Sequence, residues 1–280
     1  MRAIEAAEIG RLVESLCLRV SCELPRDVEK ALADALPQEH SPEGREALEI
    51  LLKNAKVARE EGLPVCQDTG VFCVFLSLTP GDWIDGDLRA QVDAGVARAT
   101  TDGHLRSSVV SDPAGRRVNT GDNTPALISI EQACGGGSRL SVLSRGGGSE
   151  NASRVVMLQP GEGWAGVVAF IAGVAGEVAA RSCPPLILGV GVGGSFDRAP
   201  VLAKKALLVP LDERNRDPEA EAAEKEILQA ANATGVGPGA LGGTVTCVGV
   251  RILKEPCHVA NLPVAVSVSC HALRRATITL

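Results

Sequence analysis

The sequence predicts an α/β fold: a single compact domain, residues 1–280, with mixed β-sheets surrounded by helices and a helical N-terminal segment. Three observations predict it. Apolar residues recur at helical spacing through residues 2–62. Beyond them, short apolar runs bounded by Gly and Pro alternate with helical patterns. The 280 residues are 45% hydrophobic and 22% charged, enough for a sizeable core, and no internal repeat or low-complexity linker divides them.

Each element follows from local pattern. Leu12, Val13 and Leu16 share one helix face, as do Leu48, Leu51, Leu52 and Ala55. Gly62 and then Pro64 stop the second of these helices, which leaves Cys66 to Gly70 in the loop beyond it. "VFCVFLSL" (71–78) suits a buried strand, and "DLRAQVDAGVARAT" (87–100) returns to helix. "ALISIEQACGGGSRLSVLS" reads as two strands around a Gly-rich turn. A helix over about 164–181 ends at "CPP", a strand follows at 186–192, and helices are expected near 198–208 and 217–231. The acidic run "DPEAEAAEKE" is a solvated helix face, and strands close the chain at 244–253, 262–269 and 276–280.

Composition narrows the function. Aromatics are 2% of the chain with no Tyr, and the net charge is -6, which argues against a base-stacking or broadly basic nucleic-acid surface. A few local arginines could still hold a small anion. The N-terminus "MRAIEAAEIGRLVESL" reads as a charged amphipathic helix and not a signal peptide. The most apolar stretch, Ala165 to Gly176, reads as too short to span a membrane and is closed by Glu177. Nine cysteines, an odd number with no CxxC pair, point to a reducing cytoplasm and give no support to zinc-ribbon or thioredoxin readings. Taken singly, each is first a small buried hydrophobe.

Several stretches could carry chemistry. In "GLPVCQDTG" a thiol, an amide and a carboxylate stand on Cys66, Gln67 and Asp68, a chemical site or else a buried Cys followed by a turn. "GVGVGG" (189–194) satisfies G-x-G-x-x-G between a strand and a helix, with Asp212 downstream. Pro210 in the next run opposes a dinucleotide fold, so close backbone packing or an anion nest competes with it. "RGGGSEN" (145–151) is a flexible turn or a loop whose N–H groups approach a carboxylate, and "RVNTGDNTPA" (117–126) is a run of turn formers. His258 stands between two strand-like runs, and the four histidines show no metal-site spacing.

Together "PVCQDTG", "NTGDNTPA", "GGGSEN", "SCPPLILGVGVGG" with "LAKKAL", "GVGPGALGGTVT" and "HVANLPVAVSVSC" resemble the alpha subunit of the iron–sulfur-dependent class I fumarate hydratases and L-tartrate dehydratases, in order and spacing over nearly the whole chain. The resemblance implies a [4Fe–4S] cluster held by Cys66, Cys183 and Cys270, with one iron left open for substrate. An open iron would act as a Lewis acid toward the hydroxyl and carboxylate of a 2-hydroxy diacid. Cys257 departs from the residue expected before the His, and Cys17, Cys22, Cys73, Cys134 and Cys247 fall outside the ligand motifs. The resemblance further implies that Gln67 contacts substrate, that Asp68 is the catalytic acid and that His258 pairs with it. Arg106 would bind a substrate carboxylate, and Gly147 would offer a backbone donor.

The implied activity is a hydro-lyase that reversibly hydrates fumarate to (S)-malate, with L-tartrate dehydration as the alternative. Because fused members of the family continue into a second domain, a chain ending at Leu280 is expected to need a beta subunit that completes the active site in a hetero-oligomer. A small dicarboxylate is the expected substrate, with no nucleic-acid or membrane partner. A non-catalytic iron–sulfur redox sensor and, on "GVGVGG" alone, a nucleotide-binding oxidoreductase are the readings from other classes.

Overall fold

A computed structural model of the chain describes residues 2–133 and 135–280, so Cys134 lies outside the described residues. In chain order the elements are β1 (Arg2–Glu5), α1 (Ala6–Cys22), α2 (Arg26–Ala35), α3 (Pro42–Glu61), β2 (Val71–Leu78), β3 (Asp82–Asp85), α4 (Leu88–Asp102), β4 (Leu127–Gln132) and β5 (Arg139–Arg145). They continue as α5 (Gly147–Ala152), β6 (Arg154–Leu158), α6 (Gly163–Val178), β7 (Leu186–Gly194), α7 (Arg198–Ala206), α8 (Pro218–Asn232), β8 (Cys247–Cys257), β9 (Leu262–Ser269) and β10 (Arg274–Thr279). The fold is α/β with mixed sheets and flanking helices. By packing the chain divides into two compact units, each described below: residues 1–25, 55–147 and 274–280 in the first, and residues 26–54 and 148–273 in the second.

In the first unit the strand order is β10-β5-β2-β4. The central strand β2 runs antiparallel to β5 and parallel to β4. Alternate residues Phe72, Val74 and Leu76 turn into one core with Leu140 and Val142 of β5, Ile9, Val13 and Leu16 of α1, and Val92 and Val96 of α4. The two strands expected around the Gly-rich turn therefore exist, but they flank β2 and do not pair with each other. Residues 2–5, expected to be helical, form β1 instead, because they find a parallel partner in β3 about eighty residues on, roughly the distance no local pattern reports.

The second unit has the order β6-β9-β7-β8, with β7 parallel to β8 and antiparallel to β9. Leu188 and Val190 of β7 join Val264, Val266 and Val268 of β9 beneath α6 and α8, which supply Val167, Ile171, Val178 and Ile227. The opposite face of β7 takes α7, and here "GVGVGG" finds its physical role. A Cβ at Gly189 would sit 2.2 Å from the Ala203 carbonyl oxygen, and one at Gly191 would sit 2.2 Å from that of Ala199. These two glycines let helix and strand backbones touch. The apolar stretch Ala165 to Gly176, read as too short to span a membrane, lies within a longer helical run. The helical run Pro160–Arg181 has 22 residues, and an 18-residue window within it has a mean hydropathy of 1.6, sufficient by length and composition to cross a membrane. Its Val167, Ile171, Val174 and Val178 side packs into this unit's core.

Candidate active site

Within the first unit, α3 ends at Glu61 just before Gly62, and the chain then returns to α1 through the Val65 N–H, which donates to the Ser21 carbonyl at 2.8 Å. The loop beyond is clamped onto β5, where the buried Ser144 Oγ donates to the Thr69 carbonyl at 2.6 Å. Gly70 is required at the next step. Its φ is +76°, and a Cβ there would lie 2.2 Å from the Arg145 carbonyl oxygen. So "CQDTG" is pressed against the turn that leads from β5 into α5.

That pressing puts Asp68 among four donors. Its Oδ1 accepts from Arg106 Nη2 at 3.0 Å, the Gly70 N–H at 3.1 Å and Ser108 Oγ at 3.2 Å, and its Oδ2 accepts from the Gly147 N–H at 2.8 Å. Partial burial alone would raise the carboxyl, but the bonds from Gly147, Arg106 and Ser108 outweigh it and hold Asp68 below the usual carboxylate range. Asp68 is thus ionised at neutral pH in this state. Cys66 stands beside it, its Sγ accepting from the Asp68 N–H at 3.4 Å and lying 3.4 Å from Gln67 Oε1, with Gln67 exposed. Three expected site residues, Asp68, Arg106 and Gly147, converge here, and the two expected substrate donors are both engaged by Asp68.

One residue that sequence reasoning missed, Asn123, holds this arrangement. Asn123, fully buried, accepts the Ser108 N–H at 2.6 Å and donates to the Arg106 carbonyl at 3.1 Å and to Thr100 Oγ1 at 3.2 Å. It sets the segment that carries Arg106 and Ser108. A signal was present, since an Asn in a dense run of turn formers is suited to the left-handed backbone (φ +61°) that it adopts.

In the second unit, Cys183 and Cys270 lie on adjoining backbone segments. His271, directly after Cys270, donates its N–H to the Cys183 carbonyl at 3.4 Å and brings Nδ1 to 3.1 Å of the same oxygen. The Cys183 segment is held from behind by "GVGPGALGGTVT", through the Gly239 N–H to the Pro184 carbonyl at 2.9 Å and the Leu186 N–H to the Thr246 carbonyl at 2.8 Å. That loop is in turn fastened by Glu39, 1% exposed, whose carboxylate accepts from the Ser41, Thr244 and Val245 N–H groups at 2.8–2.9 Å. Nothing in the local sequence pairs Glu39 with a loop some two hundred residues away. Lys204 of "LAKKAL" bonds Glu150 of "GGGSEN" at 3.0 Å, which joins two of the motifs. "GGGSEN", expected as a turn or loop, begins helix α5. His258 is exposed and closes its own turn, with Nδ1 accepting the Ala260 N–H at 3.2 Å.

Burial and bonding separate the three cysteines expected as ligands from the other described cysteines. The eight described cysteines form no disulfide. Cys17, Cys73 and Cys247 are buried, and burial pushes the Cys17 thiol up and that of Cys247 to about 12, where neither supplies a thiolate. Burial, then the Glu23 charge, likewise raises Cys22. Cys257 is exposed but bonded to the Asn261 carbonyl at 3.2 Å. Cys66, Cys183 and Cys270 are all at least partly exposed. Among the described residues no three His, Cys, Asp or Glu side chains already converge as a ligand set.

Comparison with known proteins gives the chain's family. The family described as "Fumarate hydratase (Fumerase)" matches residues 10–279. The chain is 36% identical over 277 residues to a Methanocaldococcus jannaschii protein named "Putative L(+)-tartrate dehydratase subunit alpha", covering 96% of each chain. It is 30% identical over 273 residues to the L(+)-tartrate dehydratase subunit alpha of Escherichia coli and to that of Shigella sonnei, covering 97% of this chain and 90% of theirs.

Proposed function

Because the chain belongs to the fumarate hydratase family of hydro-lyases, we propose that it is the alpha subunit of an iron–sulfur enzyme that reversibly hydrates fumarate to (S)-malate in the cytoplasm. The observation that carries the reading is the cluster of Asp68, Arg106 and the Gly147 N–H beside Cys66. It combines a proton-carrying group with two donors suited to a carboxylate. A substrate carboxylate arriving at Arg106 and Gly147 competes with Asp68 for the same donors, so binding would release Asp68 from its clamp next to the reacting carbons. Gln67 is exposed at the same loop, where its amide can contact substrate. His258 is assigned to adjust the acid.

Cys66, Cys183 and Cys270 would hold a [4Fe–4S] cluster. When bound it would supply a Lewis-acidic iron toward the substrate hydroxyl and carboxylate. A beta subunit would complete the site in a hetero-oligomer, a reading supported by relatives named as alpha subunits. Those same names favour a second reading, dehydration of L-tartrate, another four-carbon diacid.

The test is anaerobic purification of the chain with its companion subunit, followed by assays with fumarate, malate and both tartrates. Hydration of fumarate supports the first reading, and turnover of L-tartrate alone supports the second. A cluster-loaded complex that converts none of the four, while cycling reversibly between oxidation states, would replace both with a redox sensor.

A further inference from the structure

Arg274, the first residue of β10, is 3% exposed. Its Nε is buried with no hydrogen-bond partner, and among the described residues no hydrogen bond or ion pair reaches its guanidinium. An arginine cannot discharge itself by losing a proton, so a buried one without a counter-anion is costly. Such a cost is kept where an anion arrives later to offset it.

The position says which anion. Arg274 stands opposite Ser144 of β5, the residue that clamps the "CQDTG" loop. A point one Cβ away from Gly146 lies 3.1 Å from Asp68 Oδ2 and 3.8 Å from Arg274 Nη2. The lack of a side chain at Gly146 thus leaves clear a space onto which a carboxylate and a guanidinium both face. Asp68 is not the missing counter-ion, since its oxygens are engaged by Arg106, Ser108, Gly70 and Gly147. Arg106 approaches Asp68 at Oδ1, whereas the point beside Gly146 that Arg274 Nη2 faces is nearest Oδ2. Two cationic groups near one proton-carrying residue match the two carboxylates of a short diacid.

We propose that Arg274 is a second carboxylate anchor, receiving one end of a four-carbon dicarboxylate while Arg106 receives the other. This rests on the dicarboxylate reading above. The guanidinium fork is suited to the task because it meets a carboxylate with two parallel N–H bonds.

The test uses the cluster-loaded complex for kinetics and the full chain for melting, each as wild type, Arg274→Met and Arg274→Lys. Succinate, a non-reacting four-carbon diacid, serves as the binding probe, with butyrate as its one-carboxylate counterpart. Arg274→Met should raise KM and the succinate inhibition constant by about 100-fold and remove the preference for succinate over butyrate. Arg274→Lys should fall between Met and wild type. The melting temperature of the ligand-free Arg274→Met chain should hold or rise, because an unpaired buried charge has gone. Succinate affinity in Arg274→Met within about threefold of wild type would overturn the proposal, as would a lowered melting temperature with KM unchanged. If Arg274→Met does not fold, wild-type succinate affinity in Arg274→Lys overturns it equally. If the wild-type complex neither converts the diacids nor binds succinate, the dicarboxylate reading itself fails. Normal wild-type binding with an indifferent Arg274 removes the anchor alone.

Discussion

Replacing Glu39 by alanine removes one buried carboxylate and orphans three backbone donors in the second unit. The Val245 N–H is buried, and its loss of partner should cost about 1–3 kcal/mol. The Ser41 and Thr244 N–H groups are part-buried and within reach of water, so about 0.5–1.5 kcal/mol is expected for each. Relief of the carboxylate's own burial offsets part of this, which leaves a net loss of about 2–4 kcal/mol. Glu39→Gln should lose nearly as much, because one end of the amide presents N–H groups to N–H groups. The assay is urea unfolding followed by the fluorescence of Trp164 in a Trp83→Phe background, so that the second unit reports alone. The pH dependence has a definite sign. Burial would raise the Glu39 carboxyl, but the bonds from Ser41, Thr244 and Val245 outweigh it and lower the folded value. The stabilisation is therefore complete above the ordinary Glu value of about 4.3 and is lost as pH falls from there through the lower folded value. Glu39→Gln should flatten that acid limb. Because the loop held by Glu39 supports the Cys183 segment, iron retention after anaerobic reconstitution should fall as well. An unchanged urea midpoint in Glu39→Ala, or wild-type stability of Glu39→Gln at neutral pH, would refute the reasoning.

Four further outcomes are expected. Cys66→Ser, Cys183→Ser and Cys270→Ser should each lose iron and sulfide after reconstitution, whereas Cys17→Ser and Cys22→Ser should retain both; elemental analysis decides. Arg106→Met should raise KM about 30-fold or more. Its melting temperature should hardly move, since Arg106 is exposed and such pairs contribute about 0–1 kcal/mol. Gly191→Ala should destabilise by about 1–3 kcal/mol or more in urea unfolding, because its Cβ would meet the Ala199 carbonyl of α7. Gly148→Ala, with nothing within 4 Å, is the tolerated control. Arg251→Met should cost about 3–5 kcal/mol by the same assay, since it strips the buried Glu224 of its 3.2 Å ion-pair partner and leaves the Pro210 carbonyl without its two donors.

The sequence by itself determined what local pattern and spacing can carry. Helical periodicity placed α1, α3, α4 and α8, and short apolar runs placed β2, β7 and β9. The order of seven motif stretches identified the family, because residue identities at fixed separations survive translation into a string of letters. Asp68, Arg106 and Gly147 were named on that ground, and the structure brings them together. Only tertiary structure decided which strands lie beside which. Hydrogen-bond partners are chosen by what is near in space, so β1 formed where a helix was read and β4 and β5 came to flank β2. The roles of Asn123, Glu39 and Arg274 were hidden for the same reason. Each is an ordinary polar residue until its burial and the direction of its donors and acceptors are known, and for Arg274 even the meaning of its charge depends on a Gly146 that is distant in sequence and adjacent in space.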